Sequence, residues 1–199
     1  NNDDPIGWIR IPNTNVDYPV VYKAGVENYA YYESKGYDKQ YSKDGVIWAD
    51  YECTFPELSQ NTTLYGHNWH NIYTPRTQAN MQANDLMFSL VMSYNYTDFA
   101  QENPFVYFST TEQDYVFQVF ASYYTDLNFG YNYAQMSQED FQKVIAEAKA
   151  KSLSNYNVPV TSEDKIVTLS TCTRVHGNTN NQRFVVMAKL VPVGTPSTT

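Results

Sequence analysis

The sequence is poor in cysteine, histidine, glycine and positive charge. It holds two Cys, three His and eight Gly in 199 residues. Two cysteines cannot build a disulfide scaffold or a four-cysteine zinc site. Thirteen Lys and Arg stand against 21 Asp and Glu, a net charge of −8. A nucleic-acid binder needs clustered Lys and Arg to neutralise phosphates, so no nucleic-acid partner is expected. No stretch approaches the roughly 18 consecutive apolar residues of a membrane span. There is no signal peptide, and the opening Asn1-Asn2-Asp3-Asp4, without Met, reads as a processed or truncated product. Internal repeats and low-complexity tracts are missing too. Only Gly194 to Thr199 has a linker's composition, and a disordered tail is expected there.

What is present favours a packed β domain. Apolar residues make up 42% of the chain and aromatics 16%, including 19 Tyr, too much for a disordered chain. A chain of this length buries about 70% of its unfolded surface and needs no covalent staple. One domain over residues 1–193 is expected. Eight short strands are predicted: Trp8 to Ile11, Val16 to Val21, Gly45 to Ala49, Thr62 to Tyr65, Phe105 to Phe108, Asp114 to Tyr124, Lys165 to Leu169 and Arg183 to Val191. Their number and spacing point to a barrel or sandwich. Pro19 argues that its strand is an edge or carries a bulge. In the long strand, Tyr115, Phe117, Val119 and Ala121 share one face by alternation. A helix starts at the N-cap Ser137, with Phe141, Val144, Ile145 and Ala148 as its apolar stripe, and ends between Ser152 and Asn155. A second helix is predicted over Asp85 to Tyr94, with helical turns at Thr97 to Glu102 and Val26 to Tyr32.

Three polar residues at strand ends could carry chemistry: His67, Cys172 and Arg183. A cysteine thiolate is a strong nucleophile even as a minor fraction. An imidazole can take a proton and return it to a leaving amine. An arginine stays protonated and can donate to an oxygen that gains charge. Together they suit acyl transfer through a thioester. Taken singly, each has a plainer explanation: a small buried residue, a surface histidine, a solvated ion-pair partner.

The local sequences favour the chemistry. Leu64-Tyr65-Gly66-His67-Asn68, Thr168-Leu169-Ser170-Thr171-Cys172 and Arg183 opening the last strand resemble the signature of sortases, the cysteine transpeptidases of the Gram-positive cell surface. Gly7 to Pro12, Asn15 to Val21 and Tyr41 to Gly45 resemble class B sortases, and Ser170 and the helix from Ser137 fit class B better than class A. The resemblance covers roughly residues 5 to 192. It implies an eight-stranded β-barrel with peripheral helices. It also implies that Cys172 attacks the Thr carbonyl of a sorting-signal pentapeptide, that His67 is general acid and base, and that Arg183 steadies the oxyanion or the substrate backbone. Asn68, Ser170 and Thr171 are candidate substrate-binding residues beside the thiol. The implied partners are exported proteins bearing the signal, and an amine of a peptidoglycan precursor or a pilin. The implied setting is a monomer on the extracellular face of the membrane, held by an anchor upstream of Asn1. No cofactor and no metal are implied. One departure stands out: Arg174 occupies the position, two after the cysteine, where some class B enzymes carry an acidic residue.

Rival readings remain. His67 and His70 with a cysteine could be drawn as a zinc site, but a loop does not impose that geometry and a fourth ligand is lacking. His70 and His176 are expected to line or flank a peptide groove, and the loop from Thr173 to Gln182 to form its mobile wall. Cys53 is expected to be a small core residue with a free thiol. The tyrosine clusters at 29–37 and 123–133 could stack on sugars, but tyrosine is also an ordinary strand former. A peptidase that releases its acyl-enzyme to water and a non-catalytic surface-binding barrel are the alternatives to a transpeptidase.

Overall fold

The computed structural model describes residues 2–192, so the tail from Gly194 lies outside the described residues. Eight strands form a closed barrel: β1 (Pro5–Arg10), β2 (Asp17–Val21), β3 (Ile47–Ala49), β4 (Asn61–Tyr65), β5 (Phe105–Ser109), β6 (Asp114–Asp126), β7 (Ile166–Cys172) and β8 (Gln182–Leu190). Around the barrel they run in the order β1-β2-β3-β4-β7-β8-β6-β5. This is the eight-stranded barrel that the resemblance implies, and one of the two architectures to which the strand spacing points. β2–β3 and β4–β7 are parallel pairs, and the remaining neighbours are antiparallel.

β2 is not an edge strand, because it pairs with β1 and β3. β3 joins it only at Val20 and Val21, so Pro19 sits where β2 has a neighbour on one side alone. Proline's missing donor therefore breaks no ladder on the open side.

Two cores explain the strand patterns. The barrel interior holds Ile9, Val20, Leu64, Val106, Phe117, Leu169, Phe184 and Val186. A second cluster under the outer helix holds Phe120, Ala121, Tyr123, Phe141, Ile145, Val185 and Met187. β8 is buried on both faces, hence its continuous apolar run. β6 carries a bulge between Val119 and Ala121, which breaks the alternation. Phe117 and Val119 stay in the barrel, whereas Ala121 moves to the outer cluster. The single face predicted for Tyr115 to Ala121 therefore fails at the bulge.

The helix from Ser137 forms as the sequence predicts. α2 (Gln138–Lys151) is capped by the Ser137 hydroxyl, which accepts from the Asp140 N–H at 3.1 Å. It buries Phe141, Ile145 and Ala148 on the outer core. α1 is the single turn Thr97–Glu102. Asp85 to Tyr94 is not an α-helix: a 3₁₀ segment spans Ser89–Asn95 instead. Ser89 to Tyr94 are all buried, and a helix buried all round leaves no polar stripe from which sequence could set its period. The turn near Val26 is likewise 3₁₀, over Val26–Asn28. Among the described residues no helix is long and apolar enough to cross a membrane.

Candidate active site

β4 and β7 run parallel, pairing Tyr65 with Ser170. On β7, Val167 and Leu169 face the barrel core, so Thr168, Ser170 and Cys172 fall on the outer face by alternation. Cys172 is the last residue of β7 and pairs directly with Arg183 on β8. Directly opposed residues on an antiparallel pair hold their Cβ atoms about 4.5–5.5 Å apart on one face. Register thus sets Cys172 and Arg183 side by side on the outer face at the end of the β7–β8 pair. His67 follows β4 by two residues, after Gly66, whose N–H donates to the Ser170 carbonyl at 3.3 Å. A Cβ on Gly66 would lie 2.5 Å from Ile47 Cδ1 and 2.6 Å from Phe88 Cγ, so only glycine lets the chain leave β4 this close to the core.

His67, Cys172 and Arg183 line one cleft of about 340 Å³. Its floor includes Ser170 and Thr171, and its walls include Tyr29, Glu33, Trp48, Leu127 and Asn132. The larger grooves elsewhere on the surface contain none of the three. The three candidate residues therefore share the smaller, more enclosed cleft.

Each of the three side chains is held differently. The His67 Nε2 lies 2.5 Å from the Glu33 carbonyl oxygen. A carbonyl can only accept, so Nε2 carries the proton in this arrangement. The imidazole stacks on Trp69 at 5.0 Å and meets Trp48 at 5.6 Å. Arg183 Nη1 donates to the carbonyls of Asn180 and Gln182, both at 2.9 Å. Its other N–H groups have no protein partner among the described residues. Cys172 is half-buried and free, as Cys53 is buried and free.

The three candidate substrate-binding residues lie differently in the structure. Ser170 and Thr171 are each 2% exposed. The Ser170 hydroxyl bonds to Tyr131 Oη at 2.8 Å, and Thr171 donates to the Gly66 carbonyl at 2.7 Å. They shape the cleft floor from within it. Asn68 is buried behind the wall and does not line the cleft. Its amide donates to the carbonyls of Asn71 and Cys172 at 3.0 and 3.2 Å, bracing the end of β7 against the histidine loop.

Other expectations about the surroundings are revised. Neither His70 nor His176 lines the cleft. His176 packs edge-on against Tyr124, 4.6 Å between centroids, in a separate groove. The loop from Thr173 to Gln182 does not form the cleft wall. Arg174 in that loop donates to Asn180 and to the Thr173 carbonyl at 2.7 and 2.8 Å, tying the turn that holds Arg183. No group of three or more His, Cys, Asp or Glu among the described residues is placed to hold a metal. The tyrosine clusters form no single sugar-stacking strip: Tyr32, Tyr123 and Tyr131 are buried, whereas Tyr29 and Tyr133 are exposed.

A buried polar chain missed in the sequence underlies the cleft. Asp50, 7% exposed, accepts from Tyr65 Oη at 2.7 Å and from the Glu52 N–H at 2.9 Å. Asn132 donates to Tyr65 Oη at 2.9 Å. Burial pushes the Asp50 carboxyl above the usual carboxylate range, although these hydrogen bonds oppose it. Burial and the neighbouring Asp50 charge also push the Tyr65 phenol far up. The sole hint in the sequence was an acidic residue directly after an apolar strand, a pattern too common to single it out.

The family model described as the Sortase domain matches residues 9–191. Sortase B of Staphylococcus aureus (strain NCTC 8325 / PS 47) is 30% identical over 193 residues, covering 96% of this chain and 72% of that protein. A Staphylococcus aureus sortase B–substrate complex is 29% identical with a TM-score of 0.79, covering 97% of this chain and 82% of the other. A crystal structure of sortase B complexed with triglycine is 28% identical with a TM-score of 0.77, covering 97% and 83%.

Proposed function

The chain belongs to the sortase family of cysteine transpeptidases, with class B enzymes among its relatives, and we propose that it joins surface proteins to an amine through a thioester on Cys172. The observation that carries the assignment of roles is the register pair Cys172–Arg183, sharing one cleft with His67.

The proposed substrate is a C-terminal sorting-signal pentapeptide of an exported protein, cleaved after Thr. Cys172 Sγ attacks the Thr carbonyl carbon as its thiol proton passes to His67. The carbonyl oxygen gains charge opposite the unpartnered donors of Arg183. The C–N bond then breaks, and the leaving amine takes the proton from His67. An acceptor amine attacks the thioester, gives up a proton to His67, and the thiolate leaves and is reprotonated. His67 alternates between its neutral and protonated forms through these steps, and with Nε2–H given to the Glu33 carbonyl the ring nitrogen left to accept and return the proton is Nδ1. The acceptor is an amine of a cell-wall precursor or of a pilin. The relative complexed with triglycine supports an unhindered primary amine. The proposed location is the cell surface of a Gram-positive bacterium, by likeness to the organisms of the relatives.

The test is a panel of sorting-signal pentapeptides incubated with and without triglycine. Transpeptidation predicts cleavage after Thr and, with triglycine, an amide product formed at the expense of the free acid. Free acid alone, undiminished by triglycine, would make the protein a peptidase. No cleavage of any peptide would leave a binding barrel.

A further inference from the structure

The His67 imidazole has no carboxylate partner among the described residues. Its one hydrogen bond is to a backbone carbonyl, which fixes the ring at Nε2 only. Catalytic imidazoles need a second constraint to hold their tautomer and angle. Here the groups against the ring are indoles. Trp69 is nearly parallel to it, with 28° between planes and 5.0 Å between centroids, and Trp48 is tilted at 54° and 5.6 Å. Both indoles are anchored in turn. Trp69 Nε1 donates to the Lys43 carbonyl at 2.8 Å, and the Lys43 ammonium lies 5.6 Å from its ring. Trp48 lies in β3 and packs on Tyr65 at 5.5 Å, whose hydroxyl is tied to Asp50 and Asn132.

We propose that Trp69, with Trp48, is a positioning residue that sets the plane of the His67 imidazole by packing against its face. The proposal rests on the role assigned to His67 above. A stacked plane restricts the swing that a single hydrogen bond to a carbonyl leaves free. Trp69 is 44% exposed, a large apolar surface with no core to fill, so its place against the histidine is not explained by burial.

The experiment compares Trp69→Ala and Trp69→Phe with the unmodified protein, by steady-state peptide cleavage and by NMR of the histidine ring protons. Three histidines make the His67 signals assignable through His70→Gln and His176→Gln. Trp69→Ala is expected to lower kcat about tenfold with KM within twofold, since a misplaced catalytic group costs rate rather than binding. The His67 ring protons should move downfield as the indole ring current is lost. Trp69→Phe should recover most of the rate. Unchanged kcat in the alanine variant, equal loss in the phenylalanine variant, or unmoved His67 signals would overturn the proposal. The ring-proton arm reads the stacking whether or not peptide is cleaved. Inactive unmodified protein would therefore refute the proposed reaction, and unmoved signals would refute the stacking.

Discussion

Gly45→Ala separates the position of His67 from the stability of the barrel. Gly45 has φ of +65°, in the left-handed region, where a Cβ costs roughly 1–2 kcal/mol. For a chain of this length, each kcal/mol lowers Tm by about 2–4 °C, so strain alone predicts a fall of about 2–8 °C. The added Cβ would also lie 2.9 Å from His67 Cδ2, about half an ångström short of ordinary contact. Either the imidazole or the Gly45 backbone must yield. The imidazole already stacks on Trp69 and bonds to the Glu33 carbonyl, so its displacement disturbs both. A misplacement of about 1 Å can cost about 10²-fold in rate, so half of that predicts a loss of about tenfold in kcat. The assay is peptide cleavage well below Tm, beside thermal unfolding of the same preparation. A variant with the expected Tm but kcat within twofold of the unmodified protein would refute the claim that this glycine is there for the histidine.

Cys53 is 2% exposed, and burial pushes its thiol up to about 12, so an alkylating reagent should add once to the native chain, at Cys172, and twice only after unfolding; two additions to the native protein would contradict this. His67→Ala and Arg183→Ala should each lower kcat/KM by at least about 10²-fold without a matching loss of Tm, read by the same cleavage assay. At Asp164, burial disfavours the charge, but the Thr161 N–H and the Lys189 ammonium at 3.1 Å outweigh it and hold the carboxyl below its usual 3.8. The folded-state value is thus depressed, so its stabilisation is present above about pH 4 and is lost as pH falls through that value. Asp164→Asn should therefore be less stable than the unmodified protein at pH 6, by no more than about 1 kcal/mol for so solvated a pair. Urea unfolding should show that gap closing as pH falls below the usual carboxylate value of 3.8 and on through the depressed folded-state one.

The parts of the fold that were legible are those where one physical signal dominates. α2 announced itself through a cap, first-turn acids and a single apolar stripe, and it forms from Gln138 to Lys151. The strands showed as β-branched and aromatic runs between turn residues. The bulge in β6 was hidden, because alternation says where a face begins but not where an extra residue is inserted. Asp85 to Tyr94 was misread as α-helix because Ser89 to Tyr94, buried on every side, has no measurable period. In the site, His67, Cys172 and Arg183 were legible through local motifs, and register then explains why Cys172 and Arg183 meet. Asn68 was legible as a motif member but not as a brace, since its partners Asn71 and Cys172 are set by tertiary packing. Glu33, Trp48 and the Asp50–Tyr65–Asn132 chain come from four separate segments. No sequence pattern links them, because only barrel closure brings them to one cleft.

The most direct measurement of the central claim is intact-protein mass spectrometry during turnover of a sorting-signal pentapeptide. The predicted result is a mass increase equal to the peptide fragment ending in Thr. That adduct should map to Cys172, discharge to an amide when triglycine is added, and be absent in Cys172→Ala, which should not cleave. Cleavage by Cys172→Ala, or turnover in which the adduct maps to any other residue, would contradict it.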